Sequence, residues 1–423
     1  MAYLARSPSR LLSPDRSFLM HWILKRTLYA QFCAGENRME TRTTIGRLKG
    51  MGYSGVILAY ARELELDHDT ASELVGEHKE NEKSLEDAQL WKEGTLETVR
   101  LASAGDFVAV KKGSNTQPRF TGAGPTAVYR LSHNLPPTPG LETAIADICD
   151  LAVTRNVRLL VDAEQQAVQS GIDSWTLEFM RRYNRRNPGK AVVYGTYQSY
   201  LKSTPQTLTT HLATAYGEGF TLGVKLVRGA YLASDPRHLI NDTKEQTDEA
   251  FDSLAESLIR RSYSGGILQP AINRTATPFP SVNLVLATHN HTSIRKAQAL
   301  ITSAREEGPS TTDGGSTPDV AYAQLMGMAD EVSCELLLQA AYSSSSSSSS
   351  SPSRGDDPAT TNNPPPRAYK YLAWGSVGEC MKYLLRRAEE NRDALARTTH
   401  ARNALAKELW RRLERLGQSG ARG

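Results

Sequence analysis

The sequence has few cysteines, little net charge and no long apolar run. Its four cysteines are scattered without a CxxC pair, which argues against a disulfide framework or a zinc knuckle and favours a reducing compartment. No run of about 18 apolar residues occurs, so no membrane-spanning helix is expected. The net charge is only +4, and nucleic acid is therefore not an expected partner. The cysteines are Cys33, Cys149, Cys334 and Cys380.

What is present is enough to form a large core. The chain has 423 residues, of which 39% are hydrophobic, and this suits one decorated barrel domain as well as two domains. The first 26 residues contain five Lys or Arg and a single acid, Asp15, which resembles an organelle transit peptide. The stretch from Phe18 to Ala34 could equally form the first helix of the mature protein.

Short apolar, β-rich runs alternate along the chain with helical or loop stretches. Strands are predicted at Gly55–Tyr60, Asp106–Lys111, Val157–Asp162, Ala191–Tyr197, Thr221–Val227, Val282–Thr288, Ala321–Leu325 and Tyr369–Trp374. Helices are predicted at Thr41–Met51, Ser84–Ala104, Gly140–Thr154, Trp175–Asn184, Pro205–Tyr216, Thr243–Tyr263, Ser293–Ala304 and Gly378–Arg392.

Eight such alternations predict an α/β fold, a distorted (β/α)8 TIM-like barrel with its active site at the C-terminal ends of the strands. A doubly wound open sheet is the main competitor, because periodicity does not distinguish the two. The predicted organisation is an N-terminal segment 1–40, a barrel 41–395 and a helical tail 396–423. Inserts are expected at 112–119, 308–318 and 343–366, the last two because their composition cannot bury enough apolar surface to become ordered.

Polar side chains follow most of the predicted strands. Lysines and arginines at several strand ends imply an anionic ligand. A metal centre is not expected, because the His289-Asn290-His291 sequence would need more ligands than the few carboxylates at other strand ends offer. Lys111 or Lys225 could form a Schiff base, as in an aldolase, but a charged lysine that binds an anion is the simpler interpretation.

The last predicted helix has a polar face rich in arginine. Arg386 and Arg387 offer planar forks that suit bidentate contact with a carboxylate, and Tyr383, one turn earlier, could wall off an apolar ring. The alternative is an ordinary solvated face, since arginine is mostly exposed.

Taken together, these segments resemble the proline dehydrogenase family, and most closely its fungal mitochondrial branch. The resemblance extends from about Leu12 to Asn391. It rests on Gln31–Glu36, Asp106–Lys111 with Phe120–Gly124, Val161–Glu164, Gly195–Gln198, Gly223–Tyr231, Ala287–Asn290, Gln324–Met328 and Tyr383–Asn391.

The resemblance implies FAD-dependent oxidation of L-proline to 1-pyrroline-5-carboxylate by hydride transfer to flavin N5. Ubiquinone would accept the electrons, at the matrix side of the inner mitochondrial membrane with peripheral membrane contact. The implied substrate residues are Lys111, Leu325, Tyr371, Tyr383, Arg386 and Arg387. The implied cofactor residues are Asp162, Gln198, Lys225, Arg228, Gly229, Ala230, Tyr231, Thr288, His289, Asn290 and Glu390.

One departure from the family pattern concerns Lys111. In the fungal type the lysine runs directly into Phe-Thr-Gly-Ala-Gly, whereas here eight residues separate Lys111 from Phe120. The site survives if the strand ends at Lys111, but the carboxylate contact changes if the strand is shifted and Arg119 takes the lysine's place. A pseudoenzyme inactivated by this insert and a hydroxyproline dehydrogenase are the alternative functions.

Overall fold

A computed structural model describes Pro14 and residues 17–61, 82–110, 113–114, 119–120, 124–232, 234–263, 267–268, 278–306, 319–348 and 365–390. Eight strands form the barrel. They are β1 (Gly55–Tyr60), β2 (Phe107–Val110), β5 (Arg158–Val161), β6 (Val193–Gln198), β7 (Leu222–Val227), β8 (Val282–Ala287), β9 (Asp319–Leu325) and β10 (Arg367–Trp374).

All neighbouring barrel strands run parallel, in the closed order β1-β10-β9-β8-β7-β6-β5-β2. The first and last strands close the ring, with register from Gly55 opposite Tyr369 to Tyr60 opposite Trp374. This closure confirms the TIM-like barrel and excludes the doubly wound sheet, whose edge strands would stay unpaired.

Helices precede and follow the strands. They are α1 (Phe18–Leu24), α2 (Ala30–Phe32), α3 (Arg38–Gly50), α4 (Glu82–Leu101), α5 (Pro125–Ser132), α6 (Pro139–Thr154), α7 (Gln166–Tyr183), α8 (Thr204–Glu218), α9 (Lys244–Arg260), α10 (His291–Glu306), α11 (Asp330–Ser348) and α12 (Val377–Glu390). A π-helical turn, Lys25–Tyr29, joins α1 to α2, so the backbone is helical from Phe18 to Phe32.

The strands divide their side chains between two cores. On β1, Val56 and Leu58 belong to the core beneath the helices, whereas Ile57 and Ala59 point into the barrel. This alternation follows from the two-residue period of a strand. Both faces are apolar because each is covered, which explains why the strands read as continuous apolar runs.

Two helices were missed by the sequence patterns. Helix α5 begins at Pro125, directly after Gly124 with φ 87°; Gly-Pro suggests a turn, but proline also fits the first helical position. Helix α11 spans Asp330–Ser348, so the assignment of all of 343–366 to an unstructured insert is wrong for its first six residues. A helix already formed adds residues at little cost, which lets it continue into serine.

The predicted inserts fall largely outside the described residues. Within the first, Gly113–Ser114 (β3) pairs antiparallel with Arg119–Phe120 (β4). The second, 308–318, is not described. None of the described helices is long and apolar enough to cross a bilayer.

Candidate active site

Lys225 lies inside the barrel mouth and contacts two of the predicted site residues. Its Nζ is 2.5 Å from Oδ1 of Asp162, at the end of β5, and 5.5 Å from the ring centroid of Tyr371 on β10. The Tyr371 hydroxyl donates to the other oxygen, Oδ2, of Asp162 at 3.0 Å. Side chains from three strands therefore meet over the interior apolar cluster, against which Leu325 also packs.

Arg228 has a different environment from Lys225, although both belong to the Gly223–Tyr231 motif. Its guanidinium donates to Asp248 Oδ1 on α9 at 2.7 Å, to Thr288 Oγ1 at 2.5 Å and to Ser293 Oγ on α10 at 2.8 Å. The guanidinium carbon also lies 4.4 Å from the ring centroid of Phe251. Because Arg228 is held by several groups at once, its orientation is set before any ligand arrives.

The loop after β7 needs glycine at its first position. Gly229 has φ 153°, and a Cβ there would lie 2.3 Å from a ring carbon of Tyr200. The next residue, Ala230, donates its backbone N–H to Oε1 of Gln198 at 3.1 Å. Tyr200 is itself fixed by a 2.5 Å hydrogen bond from its hydroxyl to Asp235.

The residues after β8 are organised by their own hydrogen bonds. Thr288 Oγ1 accepts from the backbone N–H of Asn290 at 3.1 Å, and the Asn290 side chain caps α10 by accepting from Thr292 and Ser293. His289 accepts the backbone N–H of Leu325 on Nε2 at 3.1 Å, which links the ends of β8 and β9. His291 instead pairs with Glu335 on α11, so the two histidines of the H-x-H sequence bind different partners.

Helix α12 follows the last strand and packs against the N-terminal helices. Tyr383, only 5% exposed, shares an apolar cluster with Leu24, Tyr29 and Cys380. The first turn is capped by reciprocal contacts between Ser376 and Glu379. The backbones of the predicted clamp residues Arg386 and Arg387 and of Glu390 belong to this helix, while their side chains lie outside the described part of the structure.

Lys111 also lies outside the described residues, but the strand before it is described. Strand β2 ends at Val110, which is in register with Val161 on β5. Arg119 instead pairs with Ser114 in the β3–β4 hairpin. Strand β2 therefore keeps the predicted register as far as Val110.

The donor set at the mouth fits FAD. The cofactor presents anionic phosphates and a ring with carbonyl and nitrogen acceptors, which require cations, N–H groups and hydroxyls. Lys225, Arg228, Gln198 and Thr288 supply such groups at the ends of β6, β7 and β8. The side-chain nitrogen of Gln166, at the start of α7, is buried and donates to no group in the described part of the chain.

Several residues that build the site were not predicted. Asp248 and Ser293 orient Arg228, Asp235 holds Tyr200, and Glu164 accepts a hydrogen bond from Tyr231. Glu164 carried a signal, since it follows a strand directly. The others lie within helices and loops, where acids and serines are ordinary surface residues.

Asp173, which is partly buried, and His211, which is buried, lie behind β6 and affect the pH dependence of stability in opposite directions. Burial raises the pKa of Asp173 to about 7, against a lowering contribution from the Gln169 hydrogen bond. Burial, and then the charge of Arg181, lower the pKa of His211 to about 4. His211 bonds to the hydroxyl of Tyr197, whose own pKa is raised by burial and by Asp173.

Because folding raises the pKa of Asp173 and lowers that of His211, the two groups make the stability of the fold change with pH in opposite directions. Protonated Asp173 stabilises the fold most below its ordinary pKa of 3.8, and this contribution fades as the pH rises to about 7. Neutral His211 stabilises the fold fully above 6.5, and this contribution fades as the pH falls to about 4. We expect the two to cancel largely between pH 4 and 6.5.

Single substitutions should reveal the contribution of each group to the pH dependence of the unfolding free energy, measured by urea denaturation. Asp173→Asn should make the unfolding free energy rise with pH relative to the unsubstituted protein, by at most about 1.4 kcal/mol per pH unit. His211→Gln should make it fall by a similar amount. Parallel curves for all three proteins would contradict the assigned pKa shifts.

The fold and the mouth together define a (β/α)8-barrel protein with two fixed cations, Lys225 on β7 and Arg228 directly after it, at the end of the barrel where this fold binds its ligands. The family described as proline dehydrogenase matches residues 41–400. The chain belongs to the proline dehydrogenase family, and its resemblance to that family is thereby confirmed.

Individual relatives agree with this family. The chain is 28% identical to a probable mitochondrial proline dehydrogenase of Schizosaccharomyces pombe, over 94% of this chain and 82% of the relative. It is 29% identical to the hydroxyproline dehydrogenase of Mus musculus, over 92% and 83% of the two chains.

Solved structures share the fold. Proline utilization A of Bdellovibrio bacteriovorus, inactivated by N-propargylglycine, matches with a TM-score of 0.62 at 14% identity. The match covers 92% of this chain but only 36% of that protein, so it supports the barrel and not the activities of the longer chain.

Proposed function

We propose that this protein is an FAD-dependent proline dehydrogenase that oxidises L-proline to 1-pyrroline-5-carboxylate. The observation that carries the proposal is the meeting of Lys225, Asp162 and Tyr371 in the barrel mouth, in a chain of this family. Bound FAD would supply the acceptor of a hydride from the carbon beside the ring nitrogen, at flavin N5.

The chain's own residues would bind and orient the two reactants. Lys225, Arg228, Gln198 and Thr288 would hold FAD, together with the N–H groups of the loop after β7. A fixed cation such as Lys225 would stabilise negative charge that develops on the reduced ring. The other proposed cofactor residues are Asp162, Gly229, Ala230, Tyr231, His289, Asn290 and Glu390.

Substrate would lie between the strand ends and helix α12. Leu325 and Tyr371 provide an apolar wall, and the Tyr371 ring is fixed because its hydroxyl donates to Asp162 at 3.0 Å. Lys111, Arg386 and Arg387 would anchor the carboxylate and Tyr383 would enclose the ring. Such anchoring shortens the distance to the acceptor, which accounts for rate without a protein nucleophile.

Ubiquinone is the proposed electron acceptor, with peripheral contact at the matrix side of the inner mitochondrial membrane. The names of relatives such as the fission yeast protein support the mitochondrial location. Helix α1 supports membrane contact, because Phe18 is 84% exposed and Leu19 and Trp22 are also exposed. Exposed aromatic and aliphatic side chains with a neighbouring arginine, here Arg26, suit a lipid headgroup region.

Oxidation of hydroxyproline is the second candidate, favoured by the similarity to the mouse hydroxyproline dehydrogenase. The two substrates differ by one hydroxyl, which would meet the apolar wall near Leu325 and Tyr371. A comparison of kcat/KM for L-proline and trans-4-hydroxy-L-proline would decide between them.

The deciding experiment is an absorption spectrum of the purified protein with FAD, before and after anaerobic addition of L-proline. Flavin bands that bleach would support the proposal. Flavin that stays oxidised with L-proline but bleaches with hydroxyproline would favour the second candidate. A protein that cannot take up FAD would overturn both in favour of a pseudoenzyme or a flavin-free barrel, and borohydride trapping of substrate would identify an aldolase.

A further inference from the structure

Glu164 connects three neighbouring parts of the barrel mouth. It follows β5 and is 8% exposed. Its backbone N–H donates to Oε1 of Gln169 on α7 at 2.8 Å, and its carbonyl lies 3.4 Å from the side-chain nitrogen of Gln198 at the end of β6. Its carboxylate accepts from the Tyr231 hydroxyl, in the loop after β7, at 2.8 Å.

These contacts form a closed cycle of hydrogen bonds that is completed by the chain between Ala230 and Tyr231. The Gln198 amide donates to the Glu164 carbonyl through its nitrogen and accepts the Ala230 N–H through its oxygen. Ala230 is bonded covalently to Tyr231, whose hydroxyl returns to the Glu164 carboxylate. The loop is therefore held at its backbone through Gln198, which meets the main-chain carbonyl of Glu164, and at the Tyr231 side chain, which meets the Glu164 carboxylate and lies 3.1 Å from the Ala163 carbonyl.

Neighbouring side chains fix the orientation of the groups in this cycle of hydrogen bonds. Gln169 also donates to Asp173 at 2.8 Å, which turns the amide oxygen of Gln169 towards the Glu164 N–H. On the other side, the Tyr200 ring lies against Gly229 so closely that any side chain there would clash. A loop confined from two sides depends on its remaining contacts for its position.

We propose that Glu164 is a positioning residue for the flavin-binding loop Gly229–Tyr231, acting through Tyr231 and Gln198 and without touching the substrate. The inference rests on the proposed use of FAD. A carboxylate suits this role because a hydrogen bond to a charged acceptor is stronger and shorter than one between neutral groups.

The test measures the dissociation constant of FAD by fluorescence quenching in the full-length protein. Glu164→Ala should weaken FAD binding by about tenfold or more, the loss expected for one charge-assisted hydrogen bond. Glu164→Gln keeps an acceptor for Tyr231 and should lose less than about threefold. With FAD saturating, KM for L-proline should stay unchanged in both variants, because Glu164 does not contact substrate.

A double-mutant cycle identifies the route of the effect. Tyr231→Phe should weaken FAD binding at least as much as Glu164→Ala, because it also removes the contact of the hydroxyl with the Ala163 carbonyl at 3.1 Å. Adding Glu164→Ala to Tyr231→Phe should then cause little further loss, since the hydrogen bond to the carboxylate is already absent. Glu142→Ala, on the exposed start of α6, is the matched control and should leave FAD affinity unchanged. Urea denaturation of each apoprotein monitors folding, and Glu164→Gln with Tyr231→Phe keeps the test valid if Glu164→Ala does not fold.

The outcomes separate this inference from the proposed function. Wild-type protein that binds FAD while Glu164→Ala binds it equally well would overturn the positioning role alone. Additive losses in the double variant would overturn the connection through Tyr231. Wild-type protein that takes up no FAD would overturn both.

Discussion

Replacing Lys225 with methionine is expected to lower kcat/KM for L-proline by about 100-fold or more, the cost of removing one preorganised charge from an active site. The ammonium group lies 2.5 Å from Asp162 Oδ1, and the side chains of Lys225 and Asp162 are 9% and 15% exposed. Methionine keeps the length of the side chain but deprives that carboxylate of its neighbouring cation. Steady-state kinetics with FAD saturating measures the effect.

Two further variants separate catalysis from stability. Loss of one partner of a buried ion pair costs roughly 3–5 kcal/mol, so Lys225→Met should also lower the urea midpoint. Lys225→Met combined with Asp162→Asn should recover much of that midpoint without recovering activity. Lys225→Arg keeps the charge and should retain most of the activity; a Lys225→Met enzyme as active as the wild type would contradict the assigned role.

Replacing Arg386 or Arg387 with alanine is expected to raise KM for L-proline by about 10- to 100-fold, since each arginine-carboxylate hydrogen bond contributes roughly 1.5–3 kcal/mol. FAD affinity should remain unchanged. Both positions lie one turn beyond the buried Tyr383, on the same face of α12. Steady-state kinetics and flavin titration together measure the two effects.

Lys382 supplies the control on the same helix. Its side chain is exposed and lies one turn before Arg386, so Lys382→Ala removes a neighbouring charge while keeping both proposed clamp residues, and KM should stay unchanged. Arg387→Lys keeps the charge but loses the planar fork, and an intermediate KM is expected. An unchanged KM in both alanine variants would remove the carboxylate clamp from the proposed mechanism.

The barrel was predictable because each strand has two covered faces. Strand β1 spans the predicted Gly55–Tyr60, and β7 and β8 differ from the prediction by one residue at one end. Continuous apolar runs separated by helical stretches leave few arrangements that bury both faces. In helix α11 only the serine end goes against local helix propensity, and it is helical because it extends a helix already formed by the residues before it.

The site was predictable in part. Motifs placed Lys225 and Arg228 at the end of one strand, and both are there. Their opposite orientations follow from the two-residue period of a strand, since the two positions are three residues apart. Their partners were not predictable, because Asp162, Asp248 and Ser293 come from other elements of the barrel. Lys225 enters the barrel, whereas Arg228 turns outward to Asp248 and Ser293.

The sequence by itself determined the order of the eight barrel strands, the family and a set of candidate ligand-binding residues. Only the tertiary structure decided which of them meet. Asp162 contacts Tyr371, which lies 209 residues later, and Glu164 contacts Gln169, Gln198 and Tyr231. The physical reason is that barrel closure and strand register bring distant strand ends within hydrogen-bond distance, and no local pattern in the chain encodes those distances.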